Sequence, residues 1–263
     1  MPEMIDDLEM YRLLVYTVQL IAKSQYAHYF ALKGGVVLAS KIYEADRMDF
    51  FRRTVDIDVH CCSQDAWDAF CQNCITLFNA NPDGLVYRLI QRRANAKPVD
   101  NSDSLKFEVT LPNGRVVPFK MDMNIKSNSI VELSFSHTLN MQTYTALTSL
   151  SDKIVVISSQ KIYRRVKDLY DLCVLISLFD FRSADIANML RKKHNLAFSD
   201  LTNMLTVDNM SALDHAYSRY SGIHNKPPLD TLVSMAKQFL EPLYCNVSGA
   251  NVWRHTECFW ARE

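Results

Sequence analysis

Apolar residues at Ile5, Leu8, Tyr11, Leu14, Val15, Val18 and Ile21 recur at helical spacing, and Ser24 and Gln25 lead out of that helix. Tyr29-Phe30-Ala31-Leu32 reads as a short strand. Lys33-Gly34-Gly35 interrupts it, and Val36–Tyr43 returns to a helical pattern. After a charged stretch at 44–54, Val55-Asp56-Ile57-Asp58-Val59 alternates apolar and polar, which predicts a strand with one polar face. The pattern then predicts a helix at 64–79, ended by Asn81-Pro82-Asp83-Gly84. Two extended runs follow, Leu85–Gln91 and Leu105–Leu111. Pro112-Asn113-Gly114 marks a hairpin turn into a third strand, Val116 to Ile125. From about 148 onward the pattern is helical, over 149–158, 162–179, 183–194, 208–220 and 228–240, with little strand character. No internal repeat or low-complexity linker is visible. The pattern predicts a mixed α/β first half and a helical second half, with domains at 1–145 and 146–263.

Composition narrows the class. The 263 residues are 48% hydrophobic and 22% charged, which excludes a disordered chain. Lys+Arg and Asp+Glu are both 29, so the net charge is zero and any polyanion must be met by a local patch. The longest apolar runs, such as Leu13–Tyr16 and Ile154–Ile157, fall far short of the roughly 20 residues that cross a bilayer. Glu3, Asp6, Asp7 and Glu9 near the start do not suit a secretory leader. Seven cysteines in a chain able to build a core read as reduced thiols, so a cytoplasmic location is expected.

Three segments place polar residues where a core pattern would not. Gly34 and Gly35 sit between strand and helix, where a backbone can approach a ligand and free amides suit phosphate. Asp56 and Asp58 lie two apart on a strand and share a face. Two carboxylates so close invite an oxygen-preferring divalent cation; a solvated edge face is the blander alternative. On Phe119-Lys120-Met121-Asp122-Met123-Asn124-Ile125-Lys126 the apolar residues take one face, and Asp122 and Asn124 the other. If this strand pairs beside that of Asp56 and Asp58, three carboxylates converge in the way that holds two metal ions for displacement at phosphorus. In the helical half, Asp152-Lys153 precedes a segment on which Arg164, Asp168 and Asp171 are spaced to share one helix side. Lys153, Arg164 and Arg165 are candidate triphosphate contacts, against a reading as ordinary surface ion pairs.

Together, Gly34-Gly35, Asp56-x-Asp58 and a later third acid resemble the polymerase-β-like nucleotidyltransferase superfamily. More narrowly, Leu32-Lys33-Gly34-Gly35, Arg52-x-Thr54-x-Asp56-Ile57-Asp58 and Lys167-Asp168-Leu169-Tyr170-Asp171 resemble the AbiEii/MenT group of nucleotidyltransferase toxins, over roughly residues 27–180. Gly35 stands where Ser is often found, and the spacing from Gly35 to Asp56 is longer than in the compact superfamily pattern. The resemblance implies an α+β fold: a polymerase-β-like core of mixed sheet flanked by helices, with a C-terminal helical bundle. It implies magnesium-dependent transfer of a nucleotide from an NTP to an acceptor hydroxyl, often at the 3′ end of tRNA, with release of pyrophosphate. Asp56, Asp58 and Asp122 would hold two metal ions, and Asp122 would help deprotonate the acceptor. Lys33, Gly34, Gly35, Thr54, Lys153 and Arg164 would bind nucleotide, and Asp168 would orient Lys153 or an arginine. A cognate antitoxin would be the protein partner. The active site is expected in a cleft between two lobes.

Other signals carry less. Cys71-Gln72-Asn73-Cys74, near Cys61 and Cys62, has the residues of a zinc site but falls on an amphipathic helix with Trp67, Phe70 and Phe78. His28, His60 and His137 are isolated and read as surface or capping residues. No nucleophile elbow and no P-loop sequence occurs. Arg88, Arg92, Arg93 and Lys97 form a basic stretch, read either as a solvated strand edge or as a track for RNA phosphates. Arg191-Lys192-Lys193-His194 suits a helix C-terminus. Two other functions remain open: transfer to a protein side chain or small molecule, and a non-catalytic relative that binds a partner.

Overall fold

The structure is a computed structural model describing residues 6–94, 102–125, 131–158, 162–203, 205–245 and 251–262. Lys97 and Lys126 lie outside the described residues. The chain divides into two compact units. The first comprises Met1–Glu44, Arg52–Ser129 and Leu133–Tyr144; the second comprises Ala45–Phe51, Ile130–Glu132 and Thr145–Glu263.

The first unit opens with helix α1 (Asp7–Ala22), whose N-terminus Asp6 caps by accepting from the Glu9 amide at 2.6 Å. The chain then runs β1 (Phe30–Lys33), α2 (Gly34–Glu44), β2 (Asp56–Cys61) and α3 (Gln64–Asn79). Strands β3 (Val86–Ala94), β4 (Ser102–Thr110) and β5 (Val116–Ile125) follow as an antiparallel meander. Two short strands, β6 (Leu133–Ser136) and β7 (Met141–Tyr144), complete a seven-stranded sheet of order β3-β4-β5-β2-β1-β7-β6. The pairing is mixed, because β2 runs parallel to β5 and β1 parallel to β7.

One face of this sheet is apolar. Ile57 and Val59 of β2, Leu105, Phe107 and Val109 of β4, and Phe119, Met121 and Met123 of β5 are buried with Leu14, Val18 and Ile21 of α1 and Trp67, Phe70 and Phe78 of α3. Alternation sends the intervening residues to the opposite face, so the apolar pattern that builds the core also lines up the polar residues. Cys71 and Cys74 are part of this core, and burial pushes their thiols up to about 12 and 11. All seven cysteines are free.

The second unit carries helices α4 (Ala146–Ile157) and α5 (Val166–Leu178), strand β8 (Phe181–Arg182), and helices α6 (Ser183–Met189), α7 (Val207–Arg219) and α8 (Leu229–Tyr244). It closes with β9 (Asn251–Arg254) and β10 (Phe259–Arg262). The helical pattern holds, but β8, β9 and β10 form a small antiparallel sheet that the sequence reading does not anticipate. Trp253 on β9 is fully buried and donates its indole N–H to the Ile176 carbonyl at 2.7 Å, and Trp260 donates to the Phe239 carbonyl. The expected single helix at 162–179 is broken. Ile162–Arg164 form a 3-10 turn, Arg165 is neither helical nor extended (φ −120°, ψ 26°), and α5 starts only at Val166. Arg164 therefore does not share a helix side with Asp168 and Asp171. Its guanidinium lies over the Tyr163 ring, 5.8 Å from the centroid.

Candidate active site

Strand pairing decides which acids meet. In the parallel register of β2 and β5, Asp58 stands opposite Asp122 and Asp56 opposite Lys120. On the other side of β2, antiparallel pairing puts Lys33 of β1 opposite Asp58. Paired residues share a face. Lys33, Asp58 and Asp122 therefore lie side by side across three strands, at the centre of the sheet and on its polar face. They line a pocket of about 540 Å³ together with Arg93, Ser104, Lys120 and Asn124. Asp56, one strand repeat earlier, lines an adjoining hollow of about 290 Å³ beside Lys120.

The glycines fit this centre closely. Gly34 is left-handed (φ +71°), and a Cβ built on it would lie 1.9 Å from Asp58 Oδ2. Only glycine lets the strand-to-helix turn press its backbone against that carboxylate. A Cβ on Gly35 would lie 2.5 Å from the Thr54 hydroxyl and 3.6 Å from the Arg52 guanidinium. Thr54 and Arg52 are both buried, and Arg52 donates to the Arg53 carbonyl at 2.9 Å. α2 begins at Gly34, so its first amides and the positive end of its dipole open beside Asp58 and Thr54, which suits a phosphate.

The charges in the pocket are interleaved. Lys120 Nζ donates to Asp122 Oδ2 at 2.5 Å, its neighbour but one on the same face of β5. That pair leaves Lys33 and Arg93 as further cations on the pocket wall. Among the described residues, no three His, Cys, Asp or Glu side chains form a ready-made metal cage. The donor set still fits magnesium, which typically takes one or two carboxylates and keeps waters or substrate phosphates for its remaining positions. Asp58 and Asp122 on adjacent strands, with Asp56 beside them, offer oxygen donors, and the space beside Asp58 Oδ2 is one that any Cβ at Gly34 would fill.

The basic stretch is not one surface. Arg88 pairs with Glu108 at 2.5 Å. A bulge between Leu89 and Gln91 advances β3 by one residue against β4, so Arg92 pairs with Leu105 and Arg93 with Ser104. Arg92 thereby turns to the α3 side, where it bonds Asp68 at 2.6 Å and Asp103 at 2.8 Å. The Asp103 carboxylate is buried there and also accepts from the Trp67 indole at 2.9 Å. Arg93 turns the other way, into the pocket of Asp58 and Asp122, and has no partner among the described residues. His60 is not a surface residue. It is buried two positions beyond Asp58 and hydrogen-bonds the Tyr144 hydroxyl through Nδ1 at 2.9 Å.

Residues 18–219 match the family described as nucleotidyl transferase AbiEii toxin, type IV TA system. The chain belongs to this family. It is thus a member of the nucleotidyltransferase toxins of type IV toxin-antitoxin systems, and the family implies an antitoxin partner. The match spans the polar sheet face with Gly34, Asp56, Asp58 and Asp122, and most of the helical unit. No curated protein matches the chain. No helix among the described residues is long and apolar enough to cross a membrane.

The second unit holds the other AbiEii-like segment. Lys153 on α4 donates to Asp168 Oδ1 at 2.7 Å and to Asp171 Oδ2 at 2.8 Å, both on α5. Burial alone would push the Lys153 ammonium down, but Asp171 and Asp168 together outweigh it and hold its pKa above the ordinary lysine value. The i,i+3 spacing of Asp168 and Asp171 announces this shared partner, yet the sequence reading gives the role to Asp168 alone. Arg52 and Lys120 carry no assigned role from sequence, although Lys120 is legible there as a same-face neighbour of Asp122. The basic run near 191–194 forms a π-helical turn in which Lys193 and His194 approach Asp152 at 2.6 and 3.1 Å.

Proposed function

We propose that this AbiEii-family protein transfers a nucleoside monophosphate from an NTP to an acceptor hydroxyl, with the 3′ end of tRNA as the acceptor. The observation that supports this most is the opposition of Asp58 and Asp122 across β2 and β5, directly beside the Gly34-Gly35 turn. The acceptor oxygen attacks the α-phosphorus, the bond from that phosphorus to the β-phosphate oxygen breaks, and pyrophosphate leaves. The acceptor's proton departs toward the carboxylates, of which Asp122 is placed at the wall of the open pocket. Asp56, Asp58 and Asp122 would hold magnesium, which when bound supplies charge neutralisation for the α-phosphate and the leaving group.

The chain's own groups do the rest. The α2 amides after Gly34 donate to triphosphate oxygens, Thr54 and Arg52 pack against that turn, and Lys33 adds a cation beside Asp58. In the helical unit, Asp168 and Asp171 fix the Lys153 ammonium. The test is incubation with each of the four α-³²P-labelled NTPs, magnesium and total tRNA. Label in RNA, lost in Asp58→Asn, is expected. Label on protein alone would replace the acceptor, and no transfer with any nucleotide would overturn the reading.

A further inference from the structure

The pocket beside Asp122 runs from β1 to β3, and its wall carries three cations, Lys33, Lys120 and Arg93, among the acids Asp58, Asp103 and Asp122. Its two ends are chemically distinct. On the β1 side of the acids lie Lys33 and the Gly34-Gly35 turn. On the far side, across β5, β4 and β3, lie Lys120, Ser104 and Arg93 with Asn124. Two strand spacings separate β5 from β3, about 10 Å, so these groups do not crowd onto one atom but line a path leading away from Asp122.

We propose that this far end is a phosphodiester subsite, in which Arg93 and Lys120 grip the backbone of a single-stranded nucleic acid whose terminal hydroxyl reaches Asp122. The proposal rests on the nucleotidyltransferase reading above for the identity of that hydroxyl. Four observations carry it. Arg93 reaches the pocket only because of the bulge at Ile90; an unbroken register would have turned it to the α3 face. A bulge that re-aims one side chain is characteristic of functional edges. Arg93 has no partner among the described residues, whereas Arg88 and Arg92 are both neutralised by acids. Lys120 keeps two ammonium hydrogens beyond the one it gives Asp122. Finally, among the described residues the pocket is lined by hydroxyl, amide and charged groups with Met123, and by no aromatic ring. It offers hydrogen bonds to phosphate and ribose but no platform for a base. The subsite therefore reads backbone and tolerates sequence. An amino-acid side chain as acceptor would bring no phosphate to satisfy Arg93.

The experiment uses the full chain and a 5′-fluorescein single-stranded 12-mer RNA of mixed sequence, with anisotropy read across a salt series without NTP or magnesium. Arg93→Gln is expected to weaken binding about tenfold, as loss of one charged hydrogen bond does. It should also flatten the log–log salt slope by about 0.7, one phosphate contact on a single strand. Lys120→Gln should do the same, a scrambled 12-mer should bind equally, and Arg88→Gln should change neither quantity. Wild-type affinity and slope in Arg93→Gln would overturn the subsite, as would an RNA that fails to bind at all. Binding of a fluorescent NTP analogue with magnesium, measured on the same samples, keeps the two readings apart. Intact NTP binding with no RNA binding refutes the subsite alone, and RNA binding without NTP binding refutes the nucleotidyltransferase reading alone.

Discussion

Gly34→Ala separates the role of the strand-to-helix turn from its contribution to folding. Gly34 has a φ of +71°, and a left-handed alanine costs about 1–2 kcal/mol. Part of that is offset by the smaller conformational freedom of the unfolded chain, about 0.4–1 kcal/mol. The net backbone penalty is therefore about 1 kcal/mol, or a fall in Tm of about 2–4 °C for a chain of this size. The second effect is local. The new Cβ would lie 1.9 Å from Asp58 Oδ2, so the carboxylate must move by more than an ångström to reach ordinary contact. A displacement of about 1 Å in a reacting centre costs about a hundredfold in rate. The expected variant is folded, slightly less stable and about a hundredfold slower in nucleotide transfer. Gly114→Ala is the matched control. Gly114 also has positive φ (+81°), but nothing lies within 4 Å of its Cβ position, so it should show the same stability loss with full activity. Thermal melts and label transfer from α-³²P NTP read both effects. If Gly34→Ala and Gly114→Ala were equally active, the contact with Asp58 would have no part in catalysis.

Other outcomes follow from the charged networks. Lys153→Met leaves Asp168 and the fully buried Asp171 without their shared cation, and should cost about 3–5 kcal/mol in denaturant titrations; an unchanged midpoint would mean that the carboxylates are not ionised there. Asp180 is pulled to about 2 although burial opposes this, because it accepts from the His255 amide and imidazole and from Arg254. Its folded-state pKa is depressed below the ordinary 3.8, so its stabilisation is complete above about pH 4 and lost as pH falls through about 2. Asp180→Asn should thus lower stability at pH 6 and converge with wild type near pH 2, the effect being small because the side chain is over a third exposed. Arg92→Gln should destabilise the fold by removing the partner of buried Asp103, while leaving NTP affinity unchanged.

The first half of the chain was readable because its strands obey a strict period of two. Ile57 and Val59 inward with Asp56 and Asp58 outward is the sequence pattern and also the observed burial. The glycine break at 34–35 marked the strand-to-helix turn for a stereochemical reason that the contact with Asp58 makes explicit. The register was not readable. Nothing local says that β5 pairs parallel with β2, and a one-residue slip would have sent Asp122 to the core face. The bulge at Ile90 was hidden for the same reason, because pairing partners alone reveal that Arg92 and Arg93 part to opposite sides. β6 and β7 are four residues each and mix Ser, Thr and Gln with apolar residues, too short for alternation to register. β9 and β10 draw their stability from the Trp253 and Trp260 contacts with Phe239, which are tertiary and leave no periodic trace. The break before α5 contains no glycine or proline, so Ile162–Leu178 reads as one continuous helix.

The central claim is that Asp58, opposed to Asp122 and pressed by Gly34, is the centre of nucleotide transfer. Asp58→Asn keeps the side chain's size and removes its charge, so it should fold as the parent does. The deciding measurement is initial-rate transfer of label from α-³²P NTP to tRNA by wild type and Asp58→Asn, each with its melt recorded. The account predicts transfer by the wild type and a loss of at least about a thousandfold in the variant at unchanged Tm. Transfer by Asp58→Asn at the wild-type rate would contradict it.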